Sequence, residues 1–125
     1  MNLVDSSGWL EYFASAENAD FFAAAIEDTE NLVVSPINVY EVAKKILSQR
    51  DENAAVQAIA ILEQGNMVDL SAEIALLAAQ IGTSMKIPMA DSMILATDRA
   101  SHATLWTQDV DFEGVEGVEY IKKAY

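Results

Sequence analysis

The sequence predicts an α/β fold, a three-layer α/β/α sandwich with a mainly parallel central sheet of four to five short strands. Short apolar runs rich in β-branched residues alternate along the chain with longer segments whose apolar residues recur at helical spacing. This alternation is typical of parallel sheets covered by helices. No stretch resembles a linker and no period repeats, so residues 1–125 are expected to form a single domain.

The first segment is predicted to hold one strand and two helices. Residues 2–5 are a short apolar run closed by an acid, which indicates a strand. Ser6 and Ser7 can cap a helix over residues 9–14, because serine hydroxyls accept hydrogen bonds from the first amides of a helix. Residues 19–27 have the apolar spacing of a second helix.

The next segment is predicted to hold a second strand and two helices. Residues 31–35 are β-branched and short, as in a strand, and Ser35-Pro36 is the preferred pair for starting a helix. Four apolar residues form the inner face of that helix: Val39, Val42, Ala43 and Ile46. Residues 51–64 form another helix, which Gly65-Asn66 ends.

The second half repeats the alternation. Residues 67–70 are predicted to form a short strand, and the Ser71 region opens a helix that reaches about Met85. A further helix is predicted over residues 90–100, after Pro88. Strands are predicted over residues 103–107 and, at the edge of the sheet, over residues 118–121.

Composition excludes several classes of protein. Cysteine is absent, which rules out a disulfide framework, a thiolate metal site and a cysteine nucleophile. The N-terminus lacks a basic lead and its apolar run is interrupted at Asp5, so no export signal is predicted. The longest apolar stretches, residues 21–26 and 74–81, are too short to span a bilayer. A cytoplasmic protein without membrane contact is expected.

The charge balance is strongly acidic, with 20 acidic against 7 basic residues and a formal net charge of −13. Nucleic-acid binders are usually basic, because lysine and arginine contact phosphates. On charge alone, the sequence favours a protein partner or a cation ligand. The candidate phosphate contacts are Lys44, Lys45, Arg50, Lys86 and Arg99.

Four scattered acids are predicted to meet at one edge of the sheet. In parallel α/β sheets, ligands bind beyond the carboxyl ends of the strands, where the helices begin. Asp5 ends the first predicted strand, and Asp109 lies just past residues 103–107. Glu41 and Asp91 lie in the first two turns of helices that begin at this same edge. Placement in the fold thus selects these four from the 20 acids.

Four ionised carboxylates crowd together only around a cation, because like charges raise each other's pKa. Hard divalent ions with oxygen ligands, Mg²⁺ or Mn²⁺, suit such a cluster. Such an ion lowers the pKa of a bound water and stabilises charge on a phosphodiester. This chemistry needs oxygen ligands on rigid supports, and the strand ends and helix starts supply them.

Four segments together resemble the PIN-domain family and, within it, the VapC toxins of toxin–antitoxin operons. These segments are Leu3-Val4-Asp5-Ser6-Ser7, the helix start from Ser35-Pro36 to Glu41-Val42, Ala90-Asp91-Ser92-Met93-Ile94-Leu95-Ala96, and Leu105-Trp106-Thr107-Gln108-Asp109-Val110-Asp111-Phe112. The resemblance covers essentially the whole chain in order. It implies a PIN-like fold and a Mg²⁺- or Mn²⁺-dependent endoribonuclease that inhibits translation by cutting RNA, often transfer or ribosomal RNA.

The resemblance also implies partners and residue roles. It implies a homodimer held inactive by a cognate antitoxin protein. The metal ligands and catalytic acids would be Asp5, Glu41, Asp91 and Asp109. Thr107 would be a polar neighbour of these ligands, and Ser6 is a further candidate. Asp111 matches the second acid of the closing motif, and its role is left open.

Other interpretations of the same acids remain at this point. Asp5 could cap a helix, Glu41 could pair with Lys44 and Lys45 on an exposed helix face, and Asp109 or Asp111 could belong to an ordinary turn. Asp98, two turns after Asp91, is expected near the ligands or at the surface. The sequence fits a haloacid-dehalogenase-type phosphatase or a response-regulator receiver poorly, because each of these sites requires a second acid near the first strand and this chain lacks it. A non-catalytic PIN-like module that binds metal or protein is the alternative function.

Overall fold

The computed structural model describes residues 1–124, and its five-stranded sheet confirms the predicted α/β sandwich. The strands are β1 (Asn2–Val4), β2 (Leu32–Val34), β3 (Asn66–Met67), β4 (Thr104–Thr107) and β5 (Val118–Tyr120). They lie in the order β3-β2-β1-β4-β5. All four strand pairings among the described residues are parallel, so the carboxyl ends of the strands meet at one edge.

Six helices connect the strands close to the predicted positions. They are α1 (Ser6–Phe13), α2 (Ala19–Ile26), α3 (Pro36–Gln49), α4 (Glu52–Leu62), α5 (Ala72–Met85) and α6 (Met89–Ala100). Ser35 caps α3 in a reciprocal hydrogen-bond arrangement with Asn38, and Pro36 follows at the first helical position, as the sequence predicts. None of the helices in residues 1–124 combines the length and the hydrophobicity that a membrane span requires.

Two hydrophobic cores cover the two faces of the sheet, because successive side chains of a strand point to opposite sides. Leu3, Val33 and Leu105 pack with α5 and α6. On the other face, Val4 and Val34 pack with α1, α2, α3 and α4. The sheet is therefore buried on both sides, which is the arrangement expected for parallel strands.

Two details differ from the sequence prediction. The helix α1 begins at Ser6, and its N-cap is Asp5, whose side chain accepts a hydrogen bond from the Gly8 amide. The prediction that Ser6 and Ser7 cap this helix is therefore wrong. The third strand is Asn66–Met67 rather than residues 67–70. Its neighbour β2 ends at Val34, which pairs with Met67, so no further residue of β2 is left to pair with residues 68–70.

Gly8 allows α1 to pack closely against the end of β1 and against α2. A Cβ at this position would lie 2.6 Å from ring carbons of Phe22 and 2.7 Å from a methyl carbon of Val4. Both neighbours are fully buried and have little freedom to move away. The close packing fixes the start of α1, and with it Asp5, relative to the sheet.

Candidate active site

The candidate site lies between the carboxyl ends of β1 and β4. From β1 the chain adds β2 and β3 on one side of the sheet, and β4 and β5 on the other. The gap between β1 and β4 is therefore the topological switch point, where ligands of open α/β sheets bind. A cavity of about 430 Å³ occupies this position. The structure brings the four sequence-predicted acids together on its wall: Asp5, Glu41, Asp91 and Asp109.

Asp5 is buried at the floor of the cavity, with only 5% of its surface exposed. Its Oδ2 accepts a hydrogen bond of 2.6 Å from the Thr107 hydroxyl, and its Oδ1 accepts from the Ser7 hydroxyl at 2.7 Å and the Gly8 amide at 3.1 Å. Burial raises the pKa of Asp5 to about 6, although these hydrogen bonds lower it. The helix-cap interpretation of Asp5 and its place in the cavity are therefore both correct.

Thr107 joins the ends of the two central strands. Its side chain is fully buried. Its hydroxyl donates to Asp5 and accepts a hydrogen bond of 2.9 Å from the backbone amide of Asp109. One hydroxyl thus orients a carboxylate that follows β1 and the backbone that follows β4.

Glu41 is held by a chain of hydrogen bonds that starts in α3 itself. Its Oε1 accepts from the Ser6 hydroxyl at 2.7 Å, and that hydroxyl accepts from the Asn38 side-chain amide at 3.2 Å. The same amide nitrogen of Asn38 also donates to the Val4 carbonyl at 3.3 Å. Ser6 therefore points Glu41 into the cavity, and the buried Asn38, which no sequence motif indicates, fixes Ser6.

The aspartates of α6 and of the turn after β4 form the tightest group of carboxylates. One oxygen from each of three residues lies within 4.8 Å of the others: Asp91, Asp109 and Asp111. Oxygens around one Mg²⁺ ion are about 3–4 Å apart when the metal–oxygen distance is about 2.1 Å. Three oxygen donors at this separation fit a divalent cation with small adjustments, and Asp111 belongs to the group.

The electrostatics of Asp91 agree with a cation position. Burial and, after it, repulsion by four neighbouring carboxylates raise its pKa to about 7. These neighbours are Asp109, Asp5, Asp111 and Glu41. A divalent ion would remove this repulsion and favour the ionised form.

Lysines stand beside the acids on one side of the cavity. Lys44 and Lys45 line the same wall as Glu41, and the Lys44 ammonium lies 5.7 Å from the centre of the Tyr40 ring. These are two of the five candidate phosphate contacts. The other three, Arg50, Lys86 and Arg99, do not line this cavity in residues 1–124.

Asp98 is placed differently from either expectation. It does not line the cavity, and only 3% of its surface is exposed. Its Oδ1 has no hydrogen-bond partner among the described residues. Burial raises the pKa of Asp98 to about 7, although the Arg99 guanidinium and the Met1 amino group lower it. This buried carboxyl is costly to ionise and lies outside the candidate site.

Fold and site together define the class of protein, a parallel α/β domain whose sheet edge gathers carboxylates suited to a divalent cation. The sequence profile of the PIN domain family matches residues 3–118. The chain therefore belongs to the PIN domain family, as its motifs indicated. No curated protein sequence matches the chain.

Solved structures share the whole fold. A chain of a toxin-antitoxin complex from Klebsiella pneumoniae is 25% identical, with a TM-score of 0.79 and coverage of 95% of this chain and 96% of that chain. VapC20 from Mycobacterium tuberculosis, described as a Sarcin-Ricin loop cleaving toxin, is 17% identical, with a TM-score of 0.75 and coverages of 93% and 95%. FitAcB from Neisseria gonorrhoeae is 19% identical, with a TM-score of 0.74 and coverages of 98% and 97%.

Proposed function

We propose that residues 1–125 act as a single nuclease domain, a Mg²⁺- or Mn²⁺-dependent endoribonuclease toxin of a toxin–antitoxin module. The carrying observation is one cavity that gathers four acids between the carboxyl ends of β1 and β4, with the Asp111 carboxylate close to two of them. The similar structures include toxin–antitoxin complexes and a toxin that cleaves the Sarcin-Ricin loop. Transfer or ribosomal RNA is the proposed substrate, and the cytoplasm is the proposed location.

Asp91, Asp109 and Asp111 would hold the cation, with Asp5 and Glu41 completing the acidic wall. A bound ion supplies a water molecule of lowered pKa and neutralises charge on the phosphate. The overall reaction is hydrolysis: the phosphorus gains a hydroxyl group from water, one P–O bond breaks, and the departing ribose oxygen gains a proton. The chain's own part is to fix the acids on rigid supports, through Thr107 for Asp5 and Ser6 for Glu41.

A homodimer and an antitoxin protein are the proposed partners. The net charge of −13 suits a basic antitoxin segment that lies over the cavity, where an arginine could pair with a carboxylate through two parallel hydrogen bonds. Antitoxin binding is then expected to weaken when the acids that line the cavity are converted to amides. Equal binding by wild type and by that variant would contradict the role of the acids in this contact.

The decisive experiment is cleavage of total bacterial RNA by purified protein, freed of antitoxin, in Mg²⁺ and then in Mn²⁺. We expect discrete cuts that disappear when EDTA removes the metal, with the new RNA ends located by sequencing. Cuts that persist in EDTA would point to a contaminating nuclease and contradict the proposal. Metal binding without any cleavage would favour a non-catalytic module that keeps the same carboxylates.

Replacing Thr107 by valine is expected to weaken metal binding and cleavage by about 10- to 100-fold, the usual cost of losing a residue that orients a ligand. Valine keeps the shape of the buried side chain, but it removes the hydrogen bonds to Asp5 and to the Asp109 amide. The measurement is the Mn²⁺ dissociation constant by calorimetry, together with kcat/KM. Thr107→Ser, which keeps the hydroxyl, is the matched control and should recover most of the loss.

A further inference from the structure

The seven basic residues of this acidic chain are unevenly placed. A second cavity, of about 540 Å³, adjoins the first and shares Ser7 and Asp109 with it. We call it the C-terminal cleft; Tyr120, Lys122 and Lys123 form its other side. With Lys44 and Lys45 in the first cavity, four of the seven lysines and arginines line these two adjoining cavities.

The backbone that carries the second lysine pair is anchored to the site. The Ile121 amide donates to the Thr107 carbonyl at 3.0 Å, which extends the β4–β5 pairing. The side-chain amide of buried Asn18 donates to the Lys122 carbonyl at 3.1 Å and to Gln108 at 3.0 Å. Gln108 lies between Thr107 and Asp109, so this network fixes the lysine pair beside the acids of the turn.

The two lysine pairs line two different cavities that meet at Ser7 and Asp109. Lys44 and Lys45 share the first cavity with Glu41, whereas Lys122 and Lys123 lie beyond Asp109 in the C-terminal cleft. A polyanion that approaches a chain with a net charge of −13 is repelled over much of the surface. Lysines in both cavities offer positive charge to the phosphates of one strand, and in the C-terminal cleft two lysines outnumber the one further acid, Glu113.

We propose that the C-terminal cleft is a subsite for the RNA strand flanking the bond to be cut, with Lys122 and Lys123 binding its phosphates. The strand then crosses the acidic group between the two lysine pairs. This inference rests on the proposed nuclease function and names how the substrate is held. The subsite binds phosphates away from the reacting bond, so it contributes equally to substrate and transition-state binding and acts on KM.

The test compares two double variants that each remove two positive charges. Lys122→Gln with Lys123→Gln removes the cleft pair, and Lys86→Gln with Arg99→Gln is the control, because those residues line neither cavity within residues 1–124. Cleavage kinetics are measured on a single-stranded RNA that wild type cuts. Binding of labelled RNA is followed by anisotropy over a salt series, in the Asp91→Asn background so that the RNA stays intact.

We expect the cleft variant to raise KM by about 5- to 30-fold with kcat nearly unchanged, and the control to change KM little. The slope of log affinity against log salt should fall by about 1.4 for two lost phosphate contacts on a single strand. Equal effects of both variants, or an unchanged KM and slope in the cleft variant, would overturn the proposal while leaving the nuclease intact. If wild type binds RNA without cutting it, the same difference in slope supports the subsite while the nuclease function fails. Absence of RNA binding by wild type overturns the subsite.

Discussion

Replacing Asp91 by asparagine is expected to lower kcat/KM for RNA by at least about 100-fold and, at the same time, to raise the melting temperature of the metal-free protein. Activity falls because a proposed metal ligand loses its charge. Replacing even a residue that only orients a metal ligand usually lowers metal affinity or activity by about 10- to 100-fold. Stability rises because burial and four neighbouring carboxylates disfavour the ionised form of Asp91. Since water partly screens this half-buried side chain, the expected gain near neutral pH is about 1–2 kcal/mol.

Asp98→Asn is the matched control for this experiment. Asp98 lies on the same helix, and burial raises its pKa to about 7 as well, but its side chain does not line the cavity. Both variants should therefore melt higher than wild type in EDTA at about pH 8, whereas only Asp91→Asn should lose cleavage and the Mn²⁺-induced rise in melting temperature. An Asp91→Asn protein that cuts RNA like wild type would remove the central support for the proposed function.

The metal-free protein is expected to lose at least about 3 kcal/mol of unfolding free energy as the pH rises from about 4.5 to about 8. The folded-state pKa is raised from 3.8 to about 6 for Asp5 and to about 7 for Asp91 and Asp98. Between these values the folded state binds more protons than the unfolded state, so stability is highest in acid and declines through pH 7. Self-repulsion of the net negative charge acts in the same direction.

Urea denaturation in EDTA at several pH values measures this dependence. Mn²⁺ should restore stability mainly at the alkaline end, because the metal binds ionised carboxylates. Mn²⁺ should not restore the stability that is lost when Asp98 ionises, because Asp98 lies outside the cavity. Replacing Asp98 by asparagine should make the stability of the metal-free protein depend less on pH. Stability that stays level or increases from about pH 4.5 to about pH 8 would contradict the raised pKa values.

The sequence was sufficient for the fold and for the place where four acids meet. Apolar runs such as residues 31–35 and the Ser35-Pro36 helix start are local signals, and the structure has both elements close to the predicted bounds. Asp5 and Asp109 could be placed because they follow strands, and all parallel strands of a sheet end at one edge. Their catalytic and metal-binding roles stay predictions.

Side-chain partners could not be predicted in the same way. Whether Ser6 caps α1 or binds Glu41 depends on contacts 35 residues apart in the sequence. The buried position of Asp98 is equally non-local, since a carboxyl in the last turn of α6 resembles an ordinary solvated residue in the sequence. Asp111 joins Asp91 only through the path of the turn after β4.

Lys122 and Lys123 were not among the candidate phosphate contacts, although the adjacent basic pair was visible in the sequence. They follow a strand that the sequence places at an edge of the sheet without indicating which strand lies beside it. The pairing of β5 with β4 supplies that relation, because Tyr120 pairs with Thr107. Once β5 is placed beside β4, a lysine pair just after β5 is expected to lie near the acids that follow β4.

The strand order has a consequence for the protein while it is still being synthesised. The two central strands that border the cavity, β1 and β4, come from opposite parts of the chain, and Thr107 follows Asp5 by 102 residues. A ribosome adds about 5–20 residues per second, so each nascent chain exists for several seconds with Asp5 and Glu41 but without Asp109 or Asp111. If the domain is the proposed ribonuclease, its acidic site is incomplete until translation has passed β4, so it cannot cut the RNA of the ribosome that is making it before then.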